Sequence, residues 1–597
     1  MKDFLKYTLA SLLGVLLAGI IGIVLGILSL AGLIATSETP TVIKEPSVFV
    51  LDFQGTLQER TTDNPLQQLW GQENQVYGLD DILASIRKAQ ENELIKGIYL
   101  QPSYLTTSFA SLEEIRQALL QFKESGKFVV AYADQYSQGM YYLASVADQV
   151  IVNPQGSIGW HGLTSQPIFF KDLLKKAGID VQVFKVGTYK SAVEPFIATE
   201  MSEANREQVT VYLNSIWNRL VQDVATSRQR TPTELNDCAN RFMDLTQASA
   251  YIQAGLADTL MYKDEVLAYL KQLNGQDEKE ELRTLFLEDM KNLPSTTKTL
   301  PTDPAIAIYY AAGDIVDSAT PSFNPSETVI DGQKVTRDLR KLREDDRIKA
   351  VVLRVNSPGG SAYASEQIWR EVVRLKEKKP VVVSMGDYAA SGGYYISCAA
   401  NRIFADPTTL TGSIGIFGLI PSGEKLFEDK LGLHFDVVKT NDMADMGAGI
   451  GMLGIRPFNA QEQAVLQRHV NQGYELFVKR CAEGRNLPIE AIQKIAEGRV
   501  WTGETAQQIG LVDELGGIDK AVEAARQLAG LDQYRVLHRP ESNNVLMEYL
   551  NNPQKHAVNA QLRNYLGSFY PCLQALEHLK GGQQPLQTRL PFEPNLQ

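Results

Sequence analysis

The chain has 597 residues, 44% apolar and 21% charged, a length and balance that suit two large folded domains and exclude a disordered chain. With 58 Lys and Arg against 70 Asp and Glu, and no basic tract, it is a poor candidate for binding nucleic acid. Cys238, Cys398, Cys481 and Cys572 form neither a CxxC pair nor a Cys/His cluster, so no metal site is expected and they read as small buried hydrophobes.

The first element is apolar. Leu9 to Ala35 carries no charged residue and is longer than the roughly 20 residues needed to cross a bilayer as a helix. Lys2 and Lys6 precede it, which puts the short N-terminus in the cytoplasm and the rest of the chain on the other side. Residues 1–36 are therefore expected to form an uncleaved transmembrane anchor in the lipid bilayer. A cleaved signal peptide is the alternative, but its apolar core is usually about 7–15 residues.

The body of the chain is a tandem repeat. Residues 95–152 and 348–407 align at a constant offset. Ile115, Leu119 and Phe122 in the first half correspond to Ile368, Val372 and Leu375 in the second. Their spacing of four and three marks one face of an amphipathic helix. Short apolar runs follow, at Phe128–Tyr132 and Pro380–Ser384, as expected for buried parallel strands. GSIGW at 156–160 then parallels GSIGI at 412–416, and AGLADTL at 254–260 parallels IGLVDEL at 509–515. Alternating strands and helices predict an α/β fold with a parallel sheet in each half. The boundaries read as 45–290 for the first domain, 291–304 for a Pro/Ser/Thr-rich linker, and 305–540 for the second domain. Residues 541–597 form a tail of no assigned role.

The halves differ where chemistry is expected. Ser391, in GDYAASGGYY, follows a predicted strand and precedes Gly392 and Gly393. A helix starting after it would aim the Gly392 N–H at a developing oxyanion. NSPGGS at 356–361 also follows a strand, and Gly359 and Gly360 allow exposed N–H groups there. The first half has Gln138 in place of Ser391 and QPSYLTTS in place of the glycine pair. Losing both together suggests that they work together. A serine nucleophile needs a base. None of the six histidines is close to Ser391 in sequence, and His434 is the reserve candidate. Lys190, in VGTYKSAVEPF, lies among apolar and small residues, where burial would favour a neutral amine. The second half has a small residue there, near Ala444. Asp387 has a counterpart in Asp134 and reads as structural.

SPGGS, DYAASGGYY, TGSIGI and GTYKSAVEPF together resemble the signal peptide peptidase A family, also called protease IV, in its long tandem-domain bacterial form. The resemblance spans about residues 45–535 in order. It implies two tandem ClpP/crotonase-like domains with helical extensions. It also implies a serine protease that degrades released signal peptides and other extended apolar peptides. Ser391 matches the family nucleophile and Lys190 its general base. Ser413 matches a serine that orients the lysine, although Ser157 repeats it in the other half. Gly359, Gly360 and Gly392 are the candidate oxyanion donors. No cofactor is implied. The resemblance further implies a homotetramer at the bacterial inner membrane, with its catalytic domains on the periplasmic side. The rival readings are a crotonase-like acyl-CoA enzyme and a non-catalytic envelope scaffold that binds peptides.

Overall fold

The computed structural model describes residues 40–61, 75–294, 299–319, 328–541 and 587–589, with isolated positions between 6 and 22. Apart from those positions, the expected anchor lies outside the described residues, as do Cys572, part of the linker and most of the tail. No helix among the described residues is long and apolar enough to cross a membrane.

In the first half, buried Val, Ile and Leu runs build a parallel sheet. Its main path holds β1 (Ser47–Gln58), β2 (Gln75–Gly78), β3 (Ile95–Thr106), β4 (Phe128–Tyr136), β5 (Gln149–Ile158) and, further along the chain, β7 (Thr259–Leu260), in the order β2-β1-β3-β4-β5-β7, and the short strand Thr284–Leu285 also pairs with β1. Helix α1 (Phe109–Glu124) crosses from β3 to β4 and buries Ile115, Leu119 and Phe122 completely. Each such side chain contributes about 1.5–3 kcal/mol relative to exposure. A short helix, α2 (Gln138–Ala144), follows β4. A strand that leaves this sheet, β6 (Asp180–Val186), precedes the long helix α3 (Glu203–Arg228).

The second half repeats the plan. Strands β8 (Ala305–Ala312), β11 (Ile348–Ser357) and β13 (Val381–Ala390) pair in parallel, with β14 (Arg402–Ala405) and β15 (Leu410–Gly412) beside β13. Helix α4 (Ala362–Lys376) buries Ile368, Val372 and Leu375, and α5 (Gly392–Ser397) follows β13. One departure is the split of β14 from β15, where the first half has the single strand β5. A turn closed by Thr409, whose Oγ1 accepts from the Asp406 N–H at 3.1 Å, separates them.

A second departure positions the site. In the first half β3 runs on to Thr106, whereas β11 stops at Ser357 and Pro358 turns the chain out of the sheet. The next residues form β12 (Gly359–Ser361), which belongs to another sheet. There it pairs with β9 (Asp314–Val316), itself next to β10 (Val329–Asp331). The same sheet holds β16 (Ile416–Ser422), and β6 of the first half pairs antiparallel to it from Val186↔Ile416 to Asp180↔Ser422. Seven paired residues thus carry the end of β6 into the second half.

Polar contacts fix the halves together. Arg354, 1% exposed, ion-pairs with Glu59 at 2.8 Å and Glu114 at 2.5 Å across the junction. Thr408 donates through its N–H and Oγ1 to Glu113 at 3.1 and 2.6 Å. Such buried pairs add little net stability but penalise misalignment, because separating them strands a buried charge.

Candidate active site

Ser391 stands between β13 and α5 in an unusual backbone state, φ 54° and ψ −112°. A non-glycine residue held there stores about 1–3 kcal/mol, so the surroundings must impose it. They do so by two backbone bonds: the Ser391 N–H donates to Gly412 O at 2.8 Å, and Tyr395 N–H donates to Ser391 O at 2.9 Å. The hydroxyl makes no cap hydrogen bond to α5, so it stays free for another partner.

That partner comes from the other half. After β6 the chain turns at Gly187, and Lys190 projects toward β13. Its Nζ lies 2.7 Å from Ser391 Oγ, 3.0 Å from Ser413 Oγ and 3.1 Å from Ser413 O. Lys190, Ser391 and Ser413 are all fully buried. No carboxylate among the described residues pairs with Lys190, and burial alone holds its pKa well below the usual lysine value. A neutral amine has two N–H donors and one lone pair. The two Ser413 oxygens can take the donors, which leaves the lone pair for the Ser391 hydroxyl. Ser413 is itself at φ 49°, anchored by its N–H to Arg499 O at 2.7 Å.

The oxyanion candidates divide. Gly392 opens α5, and its N–H has no intrahelical acceptor. Gly359 and Gly360 have φ of 109° and 151°, and a Cβ at Gly360 would lie 2.1 Å from Ile315 O. The Gly359 N–H donates to Ser357 Oγ at 3.1 Å, so it reaches an oxyanion only by exchanging that partner.

Asp387 does more than its counterpart suggests. It accepts from Ser111 N–H and Oγ at 3.0 and 2.9 Å, tying β13 to the start of α1. Asp134 instead accepts from Tyr132 and Asn153 within its own half. The position recurs; the partner does not. His434 is exposed, and no histidine among the described residues hydrogen-bonds Ser391 or Lys190. Ala444, the small residue set against Lys190 in the repeat, is also exposed. Cys238, Cys398 and Cys481 are buried and free, and no metal-binding group occurs among the described residues.

Sequence reasoning missed the cradle of Lys190. A Cβ on Gly498 (φ 79°) would lie 2.6 Å from Lys190 Cβ, and one on Gly415 would lie 3.3 Å from Lys190 Cδ. The Tyr189 N–H donates to Glu497 O at 3.0 Å. Gln208, on α3, donates to Tyr189 O and Ser191 Oγ at 3.0 and 2.9 Å and accepts from Val500 N–H at 3.2 Å. Residues 497–500 belong to no repeat motif, so only their three-dimensional approach reveals them.

A serine in a strained strand-to-helix turn, with a buried lysine amine within hydrogen-bond reach of its hydroxyl, is a geometry compatible with nucleophilic hydrolysis. The family model of Peptidase family S49 matches this chain twice, over residues 121–277 and 373–532, and the Clp protease model matches residues 326–409. The chain is similar to "Protease 4" of Haemophilus influenzae, 36% identical over 82% of this chain and 80% of that one. It is similar to "Serine protease SPPA, chloroplastic" of Arabidopsis thaliana, 32% identical over 82% of this chain and 70% of that one. It also resembles "Putative signal peptide peptidase SppA" of Enterococcus faecium, 36% identical over 33% of this chain and 55% of that one. The chain belongs to peptidase family S49, the signal peptide peptidase A family, and is built of tandem ClpP-like α/β domains.

Proposed function

We propose that this chain is a membrane-anchored serine protease whose Ser391–Lys190 dyad degrades cleaved signal peptides and other extended apolar peptides through an acyl-enzyme. The observation that carries the reading is the fully buried 2.7 Å contact between Lys190 Nζ and Ser391 Oγ, made without any carboxylate. The division of labour follows: residues 45–290 supply the base and residues 305–540 the nucleophile. The names of the relatives support peptidase activity and the signal-peptide substrate class. The apolar N-terminal stretch supports a single-pass anchor, with the catalytic halves on the periplasmic side of a bacterial inner membrane. Assembly as a homotetramer rests on the family resemblance alone.

The reaction begins as the neutral Lys190 amine accepts the Ser391 proton and Oγ attacks the scissile carbonyl. The Gly392 N–H and one N–H of the Gly359–Gly360 pair stabilise the oxyanion. The ammonium protonates the leaving amine, and the amine it regenerates activates water to hydrolyse the ester. Ser413 holds the amine in line throughout. The neutral amine is the active form, so kcat/KM rises with pH through the folded pKa of Lys190, which lies below the ordinary lysine value.

The test is cleavage of an apolar fluorogenic peptide by the detergent-solubilised full chain beside Ser391→Ala and Lys190→Ala. Loss of activity in both folded variants is expected. Full activity in Lys190→Ala would remove the dyad, and a folded wild-type chain that cleaves nothing would favour a peptide-binding scaffold.

A further inference from the structure

The loop that delivers Lys190 is held by side chains to which the mechanism gives no part, and Arg499 is their centre. Its guanidinium carbon lies 4.6 Å from the ring centroid of Tyr189 and 4.6 Å from that of Trp501. A cation over aromatic faces is attracted by both rings. Arg499 Nη1 donates to Tyr189 Oη at 3.2 Å, and Nη2 donates to Glu207 Oε1 of α3 at 2.8 Å. Tyr189 Oη donates to Glu207 Oε2 at 3.1 Å, which closes a ring of three side chains. Tyr189 and Glu207 come from the half that supplies the lysine, and Arg499 and Trp501 from the half that holds Ser391.

The backbone of Arg499 reaches the residue that supports the amine. Its carbonyl accepts the Ser413 N–H at 2.7 Å, and Ser413 O and Oγ lie 3.1 and 3.0 Å from Lys190 Nζ. The strand that follows, β17 (Val500–Thr502), pairs antiparallel with β15 and sets Val500 opposite Gly412. Gly412 O is the acceptor that holds the Ser391 N–H at 2.8 Å. One residue therefore grips the neighbour of Lys190 with its side chain and Ser413 with its main chain. The first half differs here. Aligning AGLADTL at 254–260 with IGLVDEL at 509–515 puts Asp244 in the place of Arg499. Asp244 bonds the Trp160 N–H and His161 Nδ1, both within its own half.

Building on the peptidase reading, we propose that Arg499 is a positioning residue for the reaction, and that its stack on Tyr189 sets where the Lys190 amine stands against Ser391. It acts through Tyr189, the residue before the base, and through Ser413. The loop does not depend on it alone, because the Tyr189 N–H also bonds Glu497 O and Gln208 bonds Tyr189 O. Removing the guanidinium therefore loosens the loop rather than releasing it. The amine is kept neutral by burial alone, with no carboxylate among the described residues to hold it. A looser loop admits water, which favours the ammonium, and lets the amine drift out of line with the serine hydroxyl.

The test is steady-state cleavage of the apolar fluorogenic peptide from acid to alkaline pH by the detergent-solubilised full chain. Arg499→Met, Arg499→Lys, Tyr189→Phe and Tyr189→Leu are run beside it, with a thermal melt of each. Arg499→Met should lower kcat by about 10- to 100-fold, the scale of a misplaced catalytic group, with KM nearly unchanged. It should also move the acid limb of kcat/KM to higher pH. Arg499→Lys keeps a cation near the rings and should recover part of the loss. Tyr189→Phe keeps the ring and should lose less than Tyr189→Leu. Adding Tyr189→Leu to Arg499→Met should cost little more, because both remove one contact. A wild-type kcat in Arg499→Met overturns the proposal. So does a loss that comes with a lower Tm and an unmoved acid limb, which would make Arg499 structural only. Should Arg499→Met fail to fold, the two Tyr189 variants decide, and equal kinetics in them overturn the stack. A wild-type chain that cleaves nothing fails at the peptidase reading itself, and the proposal falls with it.

Discussion

The two halves start the same short helix in opposite ways. In the first, Ser137 caps α2 from an ordinary extended conformation, φ −66° and ψ 161°, with its side chain accepting from Met140 N–H. Gln138 follows and closes the space in front of the helix. Its Oε1 accepts from His161 and Gly162 N–H at 3.0 and 2.9 Å, and its Nε2 donates to Gly162 O at 3.1 Å. In the second, the corresponding residue, Ser391, is itself the cap, is strained, and makes no capping bond. One half satisfies its polar groups locally and becomes scaffold. The other leaves a hydroxyl that Lys190, arriving from the scaffold half, satisfies. On the proposed dyad, duplication lets one copy relinquish the nucleophile and supply the base.

The largest effect should come from removing either partner of that exchange. Ser391→Ala and Lys190→Met should each lower kcat/KM by about 10⁴-fold or more, as when one member of a catalytic unit is lost. Lys190→Arg should be as inactive, because a guanidinium does not give up its proton at working pH. Stability should move the other way. The folded pKa of Lys190 is depressed, so between it and the unfolded value near 10.5 the unfolded chain binds more protons. Wild-type stability should therefore fall relative to Lys190→Met as pH drops through that window, and level off below the folded pKa. Thermal unfolding of both proteins across alkaline to neutral pH checks this; curves that stay parallel would show that the amine is not desolvated.

Gly498→Ala tests the cradle. The added Cβ meets Lys190 Cβ at 2.6 Å and sits at a φ of 79° that alanine disfavours. A shift of the amine by about 1 Å costs on the order of 10²-fold. The loss should fall on kcat, with KM nearly unchanged, since residue 498 packs against the backbone and Cβ of Lys190. An equal rise in KM would mean that the substitution disturbs substrate binding instead.

Much of this comparison is legible in sequence, and the illegible part has a physical cause. The repeat fixes the sheets, because α1 and α4 bury Ile115, Leu119, Phe122 and Ile368, Val372, Leu375 at matching positions. Ser391 and the glycine pair stand out because the first half lacks them. Lys190 as a candidate base is legible through the repeat comparison and the family pattern together, not from its own local sequence. The pairing of β6 with β16 that delivers it joins residues more than 200 positions apart and leaves no local signature. Gly498 and Gln208 are invisible for the same reason. The recurrence of Asp387 marks it as structural, while its partner, Ser111 of the other half, is illegible because Asp134 has no such contact.

Ser413→Ala should cost less, about 10-fold at the alkaline plateau, because Ser413 O remains 3.1 Å from Lys190 Nζ. Its signature is a pH shift. The Ser413 hydroxyl accepts more strongly from an ammonium than from an amine, so it favours the charged form. Removing it should lower the Lys190 pKa further and move the acid limb of kcat/KM to lower pH. A limb that stays in place would mean that Ser413 only links β15 to β16 and does not act on the amine.

The smallest effect on activity should follow from putting a serine back where the first half has none. Gln138→Ser restores the residue type of the proposed nucleophile, but Ser137 still caps α2 in a relaxed conformation and the one buried lysine among the described residues, Lys190, is committed to Ser391. In a Ser391→Ala background this change should yield no measurable peptide hydrolysis, and in the wild-type background kcat/KM should be unchanged. The substitution should instead destabilise the first half. The His161 and Gly162 N–H groups lose their shared acceptor, at about 1–2 kcal/mol, kept low because both residues reach solvent. That corresponds to a fall in Tm of roughly 2–8 °C for a domain of this size. Hydrolysis appearing in the double variant would mean that a serine in that turn suffices without strain or a partner amine, and that the two halves differ by one residue rather than by an exchanged base.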